Sequence, residues 1–262
     1  MKRAFSTLCC LEYTPAEIVS LASDCRMDAL ELRVNSDSLQ GFLDDMQFPV
    51  NLSERGIAVT DIASGIFVRG AEADPDARRY MDLAVKLGCP AVRVFAASDG
   101  EGVLDLTAIA KGLALLCDLA EEQGLEIWLE THSEFSVGHL CRMLYELVGR
   151  ANLRILWDVL HSIEYGESIE DTAEHLRGII SHVHLKDAYP EKGKREHRLC
   201  ALGEGSFPFA DVIKLLYSEG FDGYLSLEWE SPWCPHLRGL YTDERELLNK
   251  YNYILDKAGM DK

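Results

Sequence analysis

The stretch "ISHVHLKD", residues 180–187, decides how the rest of the chain is read. It begins as an apolar strand. Residues two apart on a strand share a face, so His182, His184 and Lys186 fall on one side and Val183 and Leu185 on the other. Two imidazoles and an ammonium on one face need anionic neighbours from adjoining strands. The question is which strands supply them.

Working outward, short apolar strands alternate with longer amphipathic stretches. The strand candidates are "RAFSTLCC" (3–10), "ALELRV" (29–34), "GIAVTDIAS" (56–64), "AVRVFAA" (91–97), "EIWLETH" (126–132), "LRILWDVLH" (153–161), the opening stretch, and "GYLSLEWE" (223–230). A helix over 14–25 starts with Thr14 as N-cap, Pro15 at its first position and Glu17 completing a capping box. Another over 74–88 is expected to use Asp74 as N-cap and to stop at Gly88. Further helices are predicted over about 106–123, about 137–148, from about 169, over 208–220 and over 242–259. Alternation of this kind implies a parallel sheet. Eight units in 262 residues fit a single closed (β/α)8 TIM barrel, one domain over residues 1–262. An open dinucleotide-binding sheet should show G-x-G-x-x-G after its first strand, but here "CCLEYTP" follows. The long loops after strands three (64–75), seven (188–206) and eight (231–241) gather at one rim, where barrel enzymes work.

Composition narrows the partners. The formal net charge of −18 argues against nucleic acid and anionic membranes. No apolar run approaches the roughly 20 residues of a transmembrane helix, and "MKRAFSTLCCLEY" is not a signal peptide. The eight cysteines form no C-x-x-C pair, which fits reduced, buried thiols in a cytoplasmic protein.

The carboxyl ends of the last four strands are Glu130 in "WLETH", Asp158 in "LWDVLH", His184, and Glu228 in "SLEWE". With 44 acidic residues in the chain, a carboxylate at any one strand end is unremarkable. Four successive ends on the same alternating face are another matter. Under the helix layer unpaired charges would cost several kcal/mol, so these groups are expected to point into the barrel mouth. Three carboxylates meeting there either share protons or surround a cation. Oxygen ligands with one imidazole suit one divalent metal ion, Mn, Mg, Co, Fe or Zn. His182, a layer deeper, reads as a hydrogen-bonded support, and Lys186 as lying above the metal, towards substrate. Glu31 and Arg33 in "LELR" read as an ion pair inside the barrel or as substrate contacts; Arg93 is open in the same way. Glu230 reads as a solvated loop acid.

The motifs "ALELR", "LETH", "WDVLH" with "YGES", "HVHLKD", "LGEGSFPF" and "GYLSLEWE", in this order, resemble the xylose isomerase-like TIM-barrel superfamily of sugar phosphate isomerases and epimerases, including the ketose 3-epimerases. The resemblance implies a metal held by Glu130, Asp158, His184 and Glu228, with Glu130 and Glu228 also catalytic. One would remove a proton beside a carbonyl and the other return one to the opposite face, through a metal-stabilised enediolate. His161 matches a substrate-contacting histidine, and Lys186 the lysine of the H-x-K-D form, so both are expected to bind substrate. The epimerases carry Glu and Arg soon after H-x-H. Here Lys186 and Asp187 follow, leaving Arg195 or Arg198 in the longer loop for that role, with Arg198 taken as a substrate ligand. The expected activity is a metal-dependent isomerase or epimerase of a small keto-sugar, sugar phosphate or polyol ketone. The alternatives are a dehydratase of an inosose- or dehydroshikimate-like ketone, or a non-catalytic sugar-binding barrel. Trp233 and Tyr241 in the last long loop can stack on a carbohydrate or pack on a second copy of the chain, leaving a homo-oligomer open.

Overall fold

The computed structural model describes residues 1–99 and 101–260. Eight strands build one parallel sheet: β1 (Lys2–Phe5), β2 (Ala29–Arg33), β3 (Ala58–Val68), β4 (Ala91–Ala96), β5 (Glu126–Glu130), β6 (Leu153–Asp158), β7 (Ile180–Leu185) and β8 (Tyr224–Leu227). Their order around the sheet is β1-β8-β7-β6-β5-β4-β3-β2. A parallel bridge between Ser6 and Glu31 brings the two ends together, so the sheet is a nearly closed (β/α)8 barrel.

Alternation sorts the side chains. Ile127 and Leu129 of β5, Ile155 and Trp157 of β6, Val183 and Leu185 of β7, and Leu225 and Leu227 of β8 join the core between strands and helices. The intervening residues face the lumen, where Ala91, Trp128 and Leu156 form a separate apolar plug. The polar layer above that plug therefore has an apolar floor.

Several local expectations shift. Helix Pro15–Asp24 carries the Thr14–Glu17 capping box. The next predicted helix starts at Ala77, with Asp76 in the N-cap position. Asp74 instead accepts the backbone N–H of Asp76 in the preceding turn. Gly88 ends this helix in the left-handed region, with φ of 65°, which a glycine adopts without a Cβ clash. β1 stops at Phe5, and Thr7–Cys10 forms a 3-10 turn. β3 runs on to Val68, so the loop after it is shorter than expected. Two helices unread in the sequence, Ser36–Asp44 and Phe48–Glu54, connect β2 to β3. The first has only Leu39 fully buried, too narrow a stripe to show a clear period. A short antiparallel ribbon, Ala188–Tyr189 with Arg198–Leu199, organises the loop after β7. All eight cysteines are free thiols. Among the described residues, no helix is long and apolar enough to cross a membrane.

Candidate active site

Glu130 closes β5, Asp158 closes β6, His184 sits one residue before the end of β7, and Glu228 follows β8. All four are buried, and one ligand atom from each lies within 4.8 Å of the other three. Strand register sets this: Asp158 is level with His184, and His184 with Ser226, two residues before Glu228.

Each side chain is fixed from behind. Asp158 is the N-cap of the short helix Val159–Glu164, its Oδ1 accepting from the backbone N–H of Leu160 at 3.0 Å and of His161 at 3.3 Å. The Thr131 hydroxyl accepts the Asp158 N–H at 2.8 Å. Capping thus turns Oδ2 towards the cluster. His184 places Nε2 against the Glu31 carboxylate, leaving Nδ1 facing Glu228 at 3.5 Å and Glu130 at 4.0 Å. A carboxylate behind an imidazole fixes its tautomer and raises its basicity as a ligand. His182 lies 3.4 Å from the same Glu31 oxygen and stacks on Trp128, centroids 5.5 Å apart.

The atoms turned inward tell what the cluster suits. Glu130 Oε2, Asp158 Oδ2 and His184 Nδ1 are all buried without a well-formed hydrogen bond, their nearest charged neighbours being Arg93, Lys186 and Glu228. Buried polar atoms held by ion pairs alone, without a well-formed hydrogen bond, are rare in folded proteins. Three carboxylates and one imidazole are a donor set for a hard or borderline divalent cation, so the residues present fit such an ion.

Charge is otherwise balanced by cations that the sequence placed differently. Lys186 does not lie above the cluster: its ammonium is buried within it, 2.8 Å from Asp158 Oδ2 and 2.7 Å from Glu228 Oε2, and paired with Glu230. Glu230 is therefore an ion-pair partner rather than a solvated acid. The reason is electrostatic, since an ammonium within reach of three carboxylates is held more strongly there than in the open mouth. Glu31 pairs with the two histidines, not with Arg33, whose guanidinium donates to the Ala63 and Val34 carbonyls. Arg93 approaches Glu130, Nε to Oε2, at 3.2 Å.

These environments drive the two glutamates apart. Burial pushes Glu130 up to about 7, with Arg93 opposing and Glu228 adding to the rise. Burial also acts to raise Glu228, but Lys186 and His184 outweigh it and hold the carboxyl well below its ordinary range. For His184, burial opposes the charge while Glu31 and Glu228 raise its proton affinity well above normal. Paired titratable groups pushed in opposite directions are a common mark of acid–base sites.

A cavity of about 710 Å³ opens beside the cluster. His161 reaches it from one side and sits 3.3 Å from Asp158 Oδ2. His132 packs edge-on to His161, centroids 5.1 Å apart, and continues the wall with Phe67, itself stacked on Phe95 with centroids 4.6 Å apart. His132, two residues after Glu130 in "LETH", has no sequence pattern that marks it as a site residue; burial, with His161 and Lys186 nearby, lowers it to about 4, so it is neutral at pH 7. Arg195 lines the cavity, its guanidinium over Tyr165 at 4.2 Å. Arg198 is not among the lining residues; it is exposed on the ribbon. The ribbon pairing sets its backbone opposite Tyr189, apart from the residues that line this cavity. Of the two aromatics in the last long loop, Trp233 is 63% exposed, while the Tyr241 hydroxyl accepts from the Leu202 N–H and its ring packs edge-on to Trp229.

Comparison with known proteins follows the same lines. The family profile described as "Xylose isomerase-like TIM barrel" matches residues 24–251. An inosose dehydratase of Clostridium botulinum is 28% identical over 137 residues, 47% of this chain and 46% of that protein. The chain spans less than two-thirds of the length of the curated relatives it matches. Among solved structures, the probable 3-DHS dehydratase AsbF from Bacillus anthracis superposes with a TM-score of 0.78 at 18% identity, covering 98% of this chain and 99% of that one. A D-allulose 3-epimerase from Methylomonas sp. gives a TM-score of 0.78 at 15% identity, with 98% of each chain covered. These two likenesses establish the fold.

Proposed function

The chain belongs to the xylose isomerase-like TIM-barrel family, and we propose that it is a divalent-metal-dependent isomerase or epimerase of a small polyhydroxy ketone. Glu130, Asp158, His184 and Glu228 would hold the ion. When bound, such an ion would supply Lewis-acid stabilisation of negative charge on a substrate carbonyl oxygen. The two glutamates handle the proton. One carboxylate takes the hydrogen from the carbon beside the carbonyl, and the other delivers a proton to that carbon's opposite face. His161, at the cavity wall, binds a substrate hydroxyl. Lys186 keeps Glu228 ionised rather than touching substrate directly. Aromatic Phe67 and neutral His132 give the cavity a face that suits the C–H side of a sugar.

The observation that carries this reading is the convergence of four inward ligand atoms from neighbouring strand ends, with two glutamates pushed in opposite directions. The test is exchange of a substrate C–H hydrogen with D2O, followed by NMR, across ketoses, ketose phosphates and inososes with added Mn2+. Exchange in the native protein and its loss in Glu130→Gln and Glu228→Gln are expected. Unchanged exchange in either variant would contradict the two-base mechanism.

A dehydratase is the second reading. It is favoured by the inosose dehydratase relative and by His161: burial opposes its charge, but Asp158 and Glu164 outweigh this and raise its proton affinity. A histidine of raised proton affinity at the cavity wall is suited to hand a proton to a leaving hydroxyl. Growth of an unsaturated-ketone absorbance would select this reading.

A further inference from the structure

We propose a second metal site, on the outer surface of the barrel, formed by His139, Glu167 and His175 and suited to Zn2+, Ni2+ or Cu2+. It lies between helix Gly138–Val148 and helix Ile169–Leu176. One donor atom from each of the three residues lies within 4.8 Å of the other two. The arrangement is built rather than accidental. Glu167 is only 10% exposed, and its Oε2 is fully engaged, accepting from the Gly138 backbone N–H and, at 2.7 Å, from the Thr172 hydroxyl. Glu167 thereby caps a helix whose own N-cap residue, Val137, has no side-chain acceptor. With Oε2 pinned, Oε1 is presented to His139 Nδ1 at 3.6 Å and to His175 Nε2 at 3.8 Å. Both distances are too long for hydrogen bonds.

They are close to what a metal needs. With bonds of about 2.0–2.1 Å in a tetrahedral site, donor atoms stand about 3.3–3.4 Å apart. Small rotations of two half-exposed imidazoles close the difference. Gly138 makes the approach of the helices possible: a Cβ there would meet the Cα and carbonyl oxygen of Thr172 and the Cβ of His175, each at 3.1 Å. Two imidazoles and one carboxylate are a borderline-ion set, unlike the oxygen-rich cluster of the mouth, and the fourth position is open to water or a ligand atom. The residues just ahead of each helix, Ser133, Glu134 and Ser136 on one side and His161, Glu164 and Tyr165 on the other, line the mouth cavity. An ion here would fasten together the two segments that frame it.

The test uses Zn2+ alone as probe. Crystals soaked in ZnCl2 are expected to give an anomalous peak between His139, Glu167 and His175. In solution, titration calorimetry should find one fewer equivalent of Zn2+ bound by His139→Ala and by His175→Ala than by the native chain. Both side chains are about half exposed, so neither variant endangers the fold. No peak at this position, or an unchanged number of equivalents in both variants, would overturn the proposal.

Discussion

The two halves of the barrel contribute to the mouth in different ways. From β5 to β8, every strand sends an acid or imidazole directly to one point: Glu130, Asp158, His184 and Glu228. From β1 to β4, no strand does so. β2 supplies Glu31, which lies behind His184, and β4 supplies Arg93, which faces Glu130. β3 supplies Asp61, whose carboxyl burial, with Glu31 nearby, pushes well above its ordinary range. One half gathers the ligand atoms; the other contributes groups that bear on their charge and orientation. The same division explains the unlike glutamates. Glu130, at the seam between the halves, has one guanidinium near it and lies close to neutrality at about 7. Glu228, inside the second half, has Lys186 and a histidine and stays ionised.

Breaking the second half should have the largest effect. Glu228→Gln keeps shape and size but removes a charge facing Lys186 and His184, so kcat for proton exchange should fall by about 10²–10⁴-fold, the usual worth of a general acid or base. Far-ultraviolet circular dichroism should show the fold retained. A loss under tenfold would place the base elsewhere. Breaking the first half should cost less: Glu31→Gln leaves all four inward atoms in place but loosens His184, which should weaken metal affinity by about 10–100-fold. Competition with a chelator measures it, and an unchanged affinity would make Glu31 a structural acid only.

The seam can be probed with pH. The ordinary glutamate value is 4.5 and that of Glu130 in the metal-free chain is about 7, so its carboxyl holds a proton below pH 7 that must leave when an ion is ligated. Metal affinity should therefore climb as pH rises through about 7, with net proton release. Calorimetry in buffers of different ionisation enthalpy reads this directly. Removing the guanidinium with Arg93→Met removes the influence that lowers the Glu130 value, so the rise should move to higher pH.

Much of the second half was legible in the sequence, and the reason is periodicity. Side chains two apart on β5 to β8 alternate so regularly that the strand ends and their common face follow from the letters alone. The first half was harder. Glu31 meets His184 across 153 residues of chain, through the closure of the barrel, and no local pattern encodes that contact. Lys186 was placed on the right face but at the wrong depth, because a four-carbon side chain takes its direction from the charges it finds. Arg198 was favoured for its position after the H-x-H, but the pairing of residues 188–189 with 198–199 brings Arg195 to the cavity instead. That swap gives the smallest effect: Arg198→Ala should alter KM by less than about twofold, in line with an exposed surface substitution, while Arg195→Ala should raise it more. Equal effects from the two would undo the placement.

The most direct measurement is the position of the ion itself. Crystals grown with Mn2+ and examined by anomalous scattering should show one peak at the barrel mouth, bonded by Glu130, Asp158, His184 and Glu228. A mouth without a peak, or an ion bound there by other side chains, would contradict the account.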